Sequence, residues 1–281
     1  YQLPLKDISW PELVNVGSDL THDSPAFDAI DVASELKAKE LVELLKPALL
    51  RPSMSDVYED YVIHFLESVE GISSGSDLMK KAGVAALIMG ENVEELSERA
   101  TENVLEHNYQ YSKNDLVVID WNSALVYEPS GQRDIVDVIE FVLTHLLELR
   151  YYDELIDRRL SELYDQVEKG RNRLWGSKFA HLSKDANTRF MEFSEFMERV
   201  DNSLKVVGDF YLATLFRGAV RRFRITDWQQ TIARKMNTLA RVSELLQGEH
   251  NIKRSHQLEM VIILLIAFEI IHTMVKAAVS N

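Results

Sequence analysis

The chain has 281 residues, a formal net charge of −14 at pH 7 and no cysteine. This length fits one large domain or two small ones. The lack of cysteine excludes a disulfide framework, thiolate catalysis and cysteine-ligated zinc. The charge is unevenly spread: residues 1–130 carry 24 acidic and 9 basic residues, whereas residues 204–254 carry 4 and 10.

The first 130 residues predict a small α+β domain. Residues 1–25 show no sustained period. A helical pattern begins at Asp28 and ends at Leu50, where Pro47 and Pro52 stop it. A second helix is predicted over Glu91–Glu106. Short apolar runs predict four strands, over Asp60–Glu67, Gly83–Met89, Leu116–Trp121 and Ala124–Tyr127.

Residues 131–254 predict a helical domain that assembles subunits. Asp134 starts a helix that meets no break before Glu168, and Gly170 can stop it. Such a helix is about 50 Å long, and helices of that length usually pair with another helix. The remaining predicted helices cover Lys184–Val200, Asn202–Val220 and Ile225–Leu246.

Residues 255–278 form the most apolar stretch of the chain and predict a transmembrane anchor. The apolar part runs from Leu258 to Val275, about 27 Å as a helix, and its section from 260 to 268 has no polar side chain. A helix without a polar stripe is buried all round, either in lipid or inside a protein assembly. A carboxyl at mid-membrane costs about 2.5–3.5 kcal/mol without a partner. The predicted anchor residues, which include such a carboxyl, are Leu258, Met260, Ile263, Leu265, Phe268, Glu269 and Ile270.

Two groups of basic residues precede this stretch and predict contact with phosphates. Four arginines interleave with aromatic residues between Phe216 and Arg224, and two more cations stand at the start of the anchor. Such groups suit lipid headgroups or RNA. The alternative is ion pairing with the acidic first domain and ordinary charge complementation of a helix end. The predicted contact residues are Arg217, Arg221, Arg222, Arg224, Lys253 and Arg254.

Motifs of catalysis are almost absent. The sequence has no phosphate-binding Gly-x4-Gly-Lys, no Gly-x-Gly-x-x-Gly and no His-Glu-x-x-His. Gly71–Gly75 fits the letters Gly-x-Ser-x-Gly with Ser73 as nucleophile, but glycine and serine are also ordinary loop residues. His250 and His256 are six residues apart, which is a poor spacing for a metal pair on one helix. We therefore predict no catalytic, cofactor or metal-binding residue, and no small-molecule substrate.

The end of the chain resembles the C-terminus of the required-for-meiotic-nuclear-division protein family. The resemblance is carried by a basic, histidine-containing stretch, then the pair Leu258-Glu259, then an apolar helix with Glu269 ten residues on. It extends more loosely over residues 80–278. Where the family often has an aromatic residue after Leu-Glu, this chain has Met260.

This resemblance implies a protein anchored by one C-terminal helix, with its bulk in the mitochondrial matrix or the cytoplasm. It also implies large homo-oligomers and support of organellar translation, with ribosome components or RNA as partners, and it transfers no catalytic residue. The sequence thus predicts a membrane-anchored, self-associating, non-enzymatic scaffold bound to a lipid bilayer. Two alternatives stay open: a soluble α+β enzyme with the last helix in its core, and an RNA-binding module.

Overall fold

The computed structural model describes residues 2–21, 24–49, 52, 54–80, 83–91, 96–169 and 209–279, with a few more between 188 and 198. In the long helices of residues 134–169 and 225–279, the side chains are described up to residue 162, at 164 and 165, from 225 to 242, at 256 and from 258 to 269. The chain divides into two compact units. The first comprises residues 1–151 and 199–229, and the second comprises residues 152–198 and 230–281.

The described elements of the chain are helices and one sheet, so the predicted α+β class is confirmed. Between residues 46 and 48 a short 3-10 turn follows the second helix. The helices are α1 Trp10–Thr21, α2 Pro25–Leu45, α3 Gly75–Lys80, α4 Val84–Met89, α5 Glu98–Glu106, α6 Asp134–Lys169, α7 Phe210–Arg222 and α8 Ile225–Val279. The strands are β1 Val62–Leu66, β2 Asn108–Tyr109, β3 Leu116–Ile119 and β4 Ser123–Tyr127.

The sheet has the strand order β1-β4-β3-β2. β1 runs parallel to β4, whereas β3 is antiparallel to both of its neighbours. Every residue of β3 and β4 is buried, as expected for β-branched and apolar runs in the middle of a sheet. The sheet therefore lies at the centre of the first unit, with β1 and β2 as its edges.

Side chains alternate between the two faces of this sheet. Leu116, Val118 and Leu125 belong to one apolar cluster, together with residues of α1, α3, α4 and α5. The intervening side chains point to the opposite face, where α7 contacts β3. On that side Phe141 of α6 and Phe216 of α7 bring their ring centroids within 6.1 Å. Both faces of the sheet are thus covered by helices.

The predicted strand over Gly83–Met89 is wrong, because Val84–Met89 forms α4. Gly83 and Gly90 flank the helix with φ values of +101° and +67°, a conformation that suits glycine at helix ends. The run between them contains two alanines, a leucine and a methionine, all of which favour helix. A buried run of six apolar residues fits either structure by its pattern alone.

The predictions for three other strands and for α6 are confirmed, with ends shifted by up to two residues. No element is predicted before residue 25, but α1 occupies part of that stretch. The helix predicted from Ile225 to Leu246 continues to Val279 as α8. The helix predicted over Lys184–Val200 falls largely outside the described residues.

The second unit contains a row of buried apolar side chains along α8. Ile232, Met236 and Leu239 of α8 are buried at spacings of four and three, and Ile156 of α6 is buried too. Lys235 reaches Asp153 at 2.7 Å and Asp157 at 2.8 Å. Burial lowers the pKa of Lys235, but the bonds to these two carboxylates outweigh burial and raise it.

Candidate functional site

The far part of α8 exposes apolar side chains on every side of the helix. All residues from 258 to 269 are exposed. Because a helix turns through 3.6 residues, a run of this length covers all directions around the axis. The following side chains, called the α8 apolar segment below, each expose 52–69% of their surface: Leu258, Met260, Val261, Ile262, Ile263, Leu264, Leu265, Ile266 and Phe268.

Most of the predicted anchor residues lie in this segment. Glu269 is exposed at its end, whereas the side chains of Ile270, Lys253 and Arg254 lie outside the described residues. At its start, His256 Nδ1 is 3.3 Å from Glu259 Oε2. In the described part of the chain, no helix has an apolar stretch of the length and hydropathy needed to cross a bilayer. The predicted span continues to Val275, beyond the last described side chain.

The four predicted arginines around the end of α7 fall into two pairs with different surroundings. Arg222 forms an ion pair with the buried Asp120 and is itself largely covered. Arg224 has a positive φ of +53° and donates to Asp227 at 2.7 Å, so its charge is neutralised within one turn. Arg217 and Arg221 are exposed and four residues apart, which puts them on one face of α7.

Asp120 connects α7 to the turn between β3 and β4. The hydroxyl of Tyr61 donates to the backbone oxygens of Asp120 at 3.0 Å and Ser123 at 2.6 Å. The Tyr61 ring packs edge-on against Phe223, with 5.5 Å between centroids. Burial raises the pKa of Tyr61 above its ordinary value, so its hydroxyl stays protonated as a donor. Through its ion pair with Asp120, Arg222 therefore helps to hold α7 on the sheet.

Tyr109 on the edge strand β2 lies against α7 and bonds to the exposed Arg221. A Cβ placed on Gly218 would come within 2.1 Å of Tyr109 Oη, so only glycine permits this contact. Burial raises the pKa of Tyr109, and a hydrogen bond with Arg221 opposes that rise. His107 directly precedes β2, and its pKa is lowered by burial and by the nearby charge of Arg222. Arg221, Tyr109 and His107 thus form a small polar cluster beside β2.

The Gly-x-Ser-x-Gly sequence lies at the start of α3. Ser73 Oγ donates to Asp77 Oδ2 at 3.1 Å, and Ser74 Oγ accepts from the Asp77 backbone N–H at 3.1 Å. Hydrogen bonds from both serines lower the pKa of Asp77. A serine nucleophile needs a histidine base, and within the described residues no histidine bonds to Ser73 or Asp77. The contacts are those of an ordinary helix start.

A buried histidine and a partly buried glutamate lie around β1. His64 packs against Gly17 of α1. Burial lowers the pKa of His64 to about 4, so it is neutral at pH 7. Burial raises the pKa of Glu59, and its ion pair with Arg150 at 2.8 Å opposes that rise. No three metal-ligating side chains converge anywhere in the described structure.

Comparisons with known proteins place the chain near an archaeal protein. A family model described as the N-terminal domain of the uncharacterized protein MJ0711 matches residues 1–134. The uncharacterized protein MJ0711 of Methanocaldococcus jannaschii is 23% identical over 256 residues, covering 88% of this chain and 79% of the relative. No solved structure matches the chain. The family match ends at the residue where α6 begins.

The sequence predicts the apolar segment but not the residues that hold α7 on the sheet. Asp120, Tyr61 and Tyr109 are far from Arg222 and Gly218 in the chain, and no local pattern links them. Two signals were present. The alternative of ion pairing between the basic residues and the acidic first domain describes Arg222 and Asp120, and Asp120 directly follows an apolar strand, where an acidic side chain near a sheet end often has a partner.

Proposed function

We propose that this protein is a non-enzymatic scaffold that attaches to a membrane through the α8 apolar segment. The observation that carries the proposal is the exposure of nine large apolar side chains within eleven consecutive residues. Leaving that much apolar surface in water is unfavourable by about 25 cal/mol per Å². Exposed apolar patches of this size mark contacts with membranes or other proteins.

Lipid fits this surface better than a flat protein contact does. A protein partner usually covers one face of a helix and leaves a polar stripe on the other. Here the exposed side chains surround the axis, and the described residues supply about 18 Å of such helix. The sequence adds Lys253 and Arg254 before the segment, which suits anionic headgroups at its boundary.

The decisive test is flotation of the full chain with lipid vesicles at low and at high salt. Ile263→Asp combined with Leu264→Asp should abolish flotation, because two carboxylates in lipid cost several kcal/mol. The matched control is Val32→Asp with Leu36→Asp on α2, whose side chains are similarly exposed. The proposal fails if the α8 variant still floats while remaining folded, or if the α2 variant alone loses flotation.

Self-association is the second part of the proposal, and it is supported by the length of α6 and α8 and by the family resemblance. Measuring the mass of the full chain in mild detergent tests it directly. We expect the purified chain to have the mass of a dimer or a larger oligomer without any other protein present. A monomer over the micromolar range would reject self-association and leave the membrane contact standing.

The family resemblance further supports a role near ribosomes or messenger RNA at the membrane. The archaeal relative favours a function that does not require a mitochondrion. RNA binding has one specific observation of its own, which is the exposed pair Arg217 and Arg221 on one face of α7. Arg217→Ala with Arg221→Ala should weaken salt-dependent RNA binding, whereas Arg224→Ala should not. Equal effects of the two variants would reject this face as the RNA contact.

A further inference from the structure

Strand β1 leaves the polar groups of two residues without a neighbouring strand. Val62 N–H donates to Asn122 O at 3.1 Å, and Leu66 O accepts from Glu128 N–H at 2.9 Å. In a parallel pair, alternate residues bond to the same neighbour. The register therefore turns the N–H and C=O groups of Ile63 and Phe65 away from β4, toward the outer edge of the sheet.

No described segment covers this edge with its own backbone. The backbone hydrogen bonds outside the regular elements include none to Ile63 or Phe65 among the described residues. Both side chains are only partly buried. Protected edges usually carry a proline, an inward charge or a bulge. Val62–Leu66 pairs in a continuous register and contains no proline. Its one ionisable side chain, His64, is neutral at pH 7. The opposite edge, β2, has only two paired residues.

The ends of β1 are acidic. Asp60 precedes the strand, Glu67 and Glu70 follow it, and all three are exposed. The guanidinium of Arg133 lies 5.4 Å from the centre of the Phe65 ring and supplies one positive charge nearby. Three carboxylates against one cation leave the rim of this edge negative.

This charge pattern decides between two occupants. A second copy could pair antiparallel with β1, because Ile63 would then lie opposite Phe65 in both directions. That pairing would put Asp60 of each copy opposite Ser68 of the other, one residue from Glu67, so the acidic ends of the two copies would lie close together at both ends. Charges of the same sign repel each other at such short distances, so the acidic rim opposes a second copy. A strand with basic residues at its ends meets no such repulsion.

We propose that the open edge of β1 binds an extended segment of a partner protein, apolar in its middle and basic at its ends. The segment adds a fifth strand to the sheet through four backbone hydrogen bonds, two donated and two accepted by Ile63 and Phe65. The acidic rim selects basic flanks. This mode of recognition takes its affinity from the backbone and its selectivity from side chains. It goes beyond membrane attachment and does not depend on the α8 apolar segment.

A synthetic peptide tests the proposal on the full chain in mild detergent. The probe is Lys-Lys-Val-Thr-Val-Thr-Val-Lys-Lys, followed by fluorescence anisotropy, and its match has glutamate in place of every lysine. We expect the lysine peptide to bind about thirtyfold or more tightly than the glutamate peptide at low salt. On binding, amide exchange at Ile63 and Phe65 should slow. No binding, or equal binding of both peptides, overturns the proposal.

Substitutions in β1 locate the contact. Ile63→Pro removes only an outward N–H, so the bonds to β4 are kept, and binding should weaken about tenfold, whereas Ile63→Val should bind as before. If the proline variant does not fold, Asp60→Lys tests the same point on an exposed side chain. It should weaken binding of the lysine peptide. If Asp60→Lys instead strengthens self-association and leaves peptide binding unchanged, the occupant is a second copy and the proposal is wrong.

Discussion

Two apolar parts of this chain have opposite surroundings. β3 and β4 bury every side chain they carry, whereas residues 258–269 of α8 bury none. Both stretches are rich in leucine, isoleucine and valine. Composition therefore does not separate them; the difference is that helices of the first unit cover the sheet, whereas the side chains of the described helix end are exposed.

The two parts therefore contribute to different free energies: the sheet to the free energy of unfolding, and the end of α8 to the free energy of attachment. In the sheet, burial of apolar surface contributes to the stability of the folded chain itself. At the end of α8, the same contribution becomes available only when lipid or another protein covers the surface. Substitutions in the sheet should thus change unfolding, and substitutions in α8 should change attachment.

A pair of leucine-to-alanine substitutions would break or sharpen this contrast most. Leu125 is 0% exposed and Leu264 is 66% exposed. Leu125→Ala leaves a cavity in the core and should lower the free energy of unfolding by about 2–5 kcal/mol. Leu264→Ala should change it by about 0.5 kcal/mol or less. Chemical denaturation followed by circular dichroism measures both.

The outcome that contradicts the contrast is a large loss at Leu264. It would mean that this helix end packs within the folded chain. In that case the alternative of a core helix in a soluble protein regains support, and flotation with vesicles should also be absent.

The second prediction concerns His64, which lies under α1. Its folded pKa of about 4 is below the ordinary value of 6.5, so the unfolded chain binds the proton more readily. The stability from neutral His64 is thus fully present above pH 6.5 and is lost as the pH falls toward 4. The loss is about 3 kcal/mol over that window. Glu59, with a raised pKa, acts in the opposite direction near its own titration.

Replacing His64 identifies its part of the pH profile. In His64→Leu the decline in stability between pH 6.5 and 5 should become shallower, and partly buried His107 should account for a remainder of the same sign. Urea unfolding at half-unit pH steps gives both curves. Identical slopes for the two proteins would show that His64 is already solvated in the folded chain.

How far the sequence could predict this structure depends on how local each signal was. The alternation and β-branched residues of β3 and β4 are local, and so is the unbroken pattern of α6. Helix α1 also had a local signal that was missed: Ser9 and Glu12 form a capping box, with Ser9 N–H donating to Glu12 Oε2 at 3.0 Å. Pro11 then occupies the second position of the helix, where its missing N–H costs little.

The candidate sites divide in the same way. The α8 apolar segment was predictable, because its pattern leaves no polar face. The separate roles of four neighbouring arginines were not predictable, because Arg222 meets Asp120 across 102 residues. The open edge of β1 was hidden for the same reason, since it depends on which strand lies beside β4.

The third prediction tests the contact between α7 and the sheet edge. Gly218→Ala places a methyl group into the Tyr109 side chain and should destabilise the chain by about 1–3 kcal/mol. Tyr109→Ala in the same chain removes the clash, so the double variant should lose less than the two single losses combined. Thermal unfolding of the four proteins measures the coupling. Strict additivity would mean that the two residues do not touch.

The smallest expected effects distinguish the arginines of α7 from one another. Asp120 is buried, so Arg222→Ala leaves its carboxylate without a partner and should cost about 1–2 kcal/mol, reduced from the value for a fully buried pair because Arg222 is partly exposed. Arg224 and Asp227 are both exposed, and Arg224→Ala should change stability by about 0.5 kcal/mol or less. Urea unfolding in 0.5 M salt separates them further, because salt screens the exposed pair and leaves the covered pair nearly unchanged. If Arg224→Ala costs as much as Arg222→Ala, burial does not set the strength of these pairs, and the division of the arginines into structural and available ones is wrong.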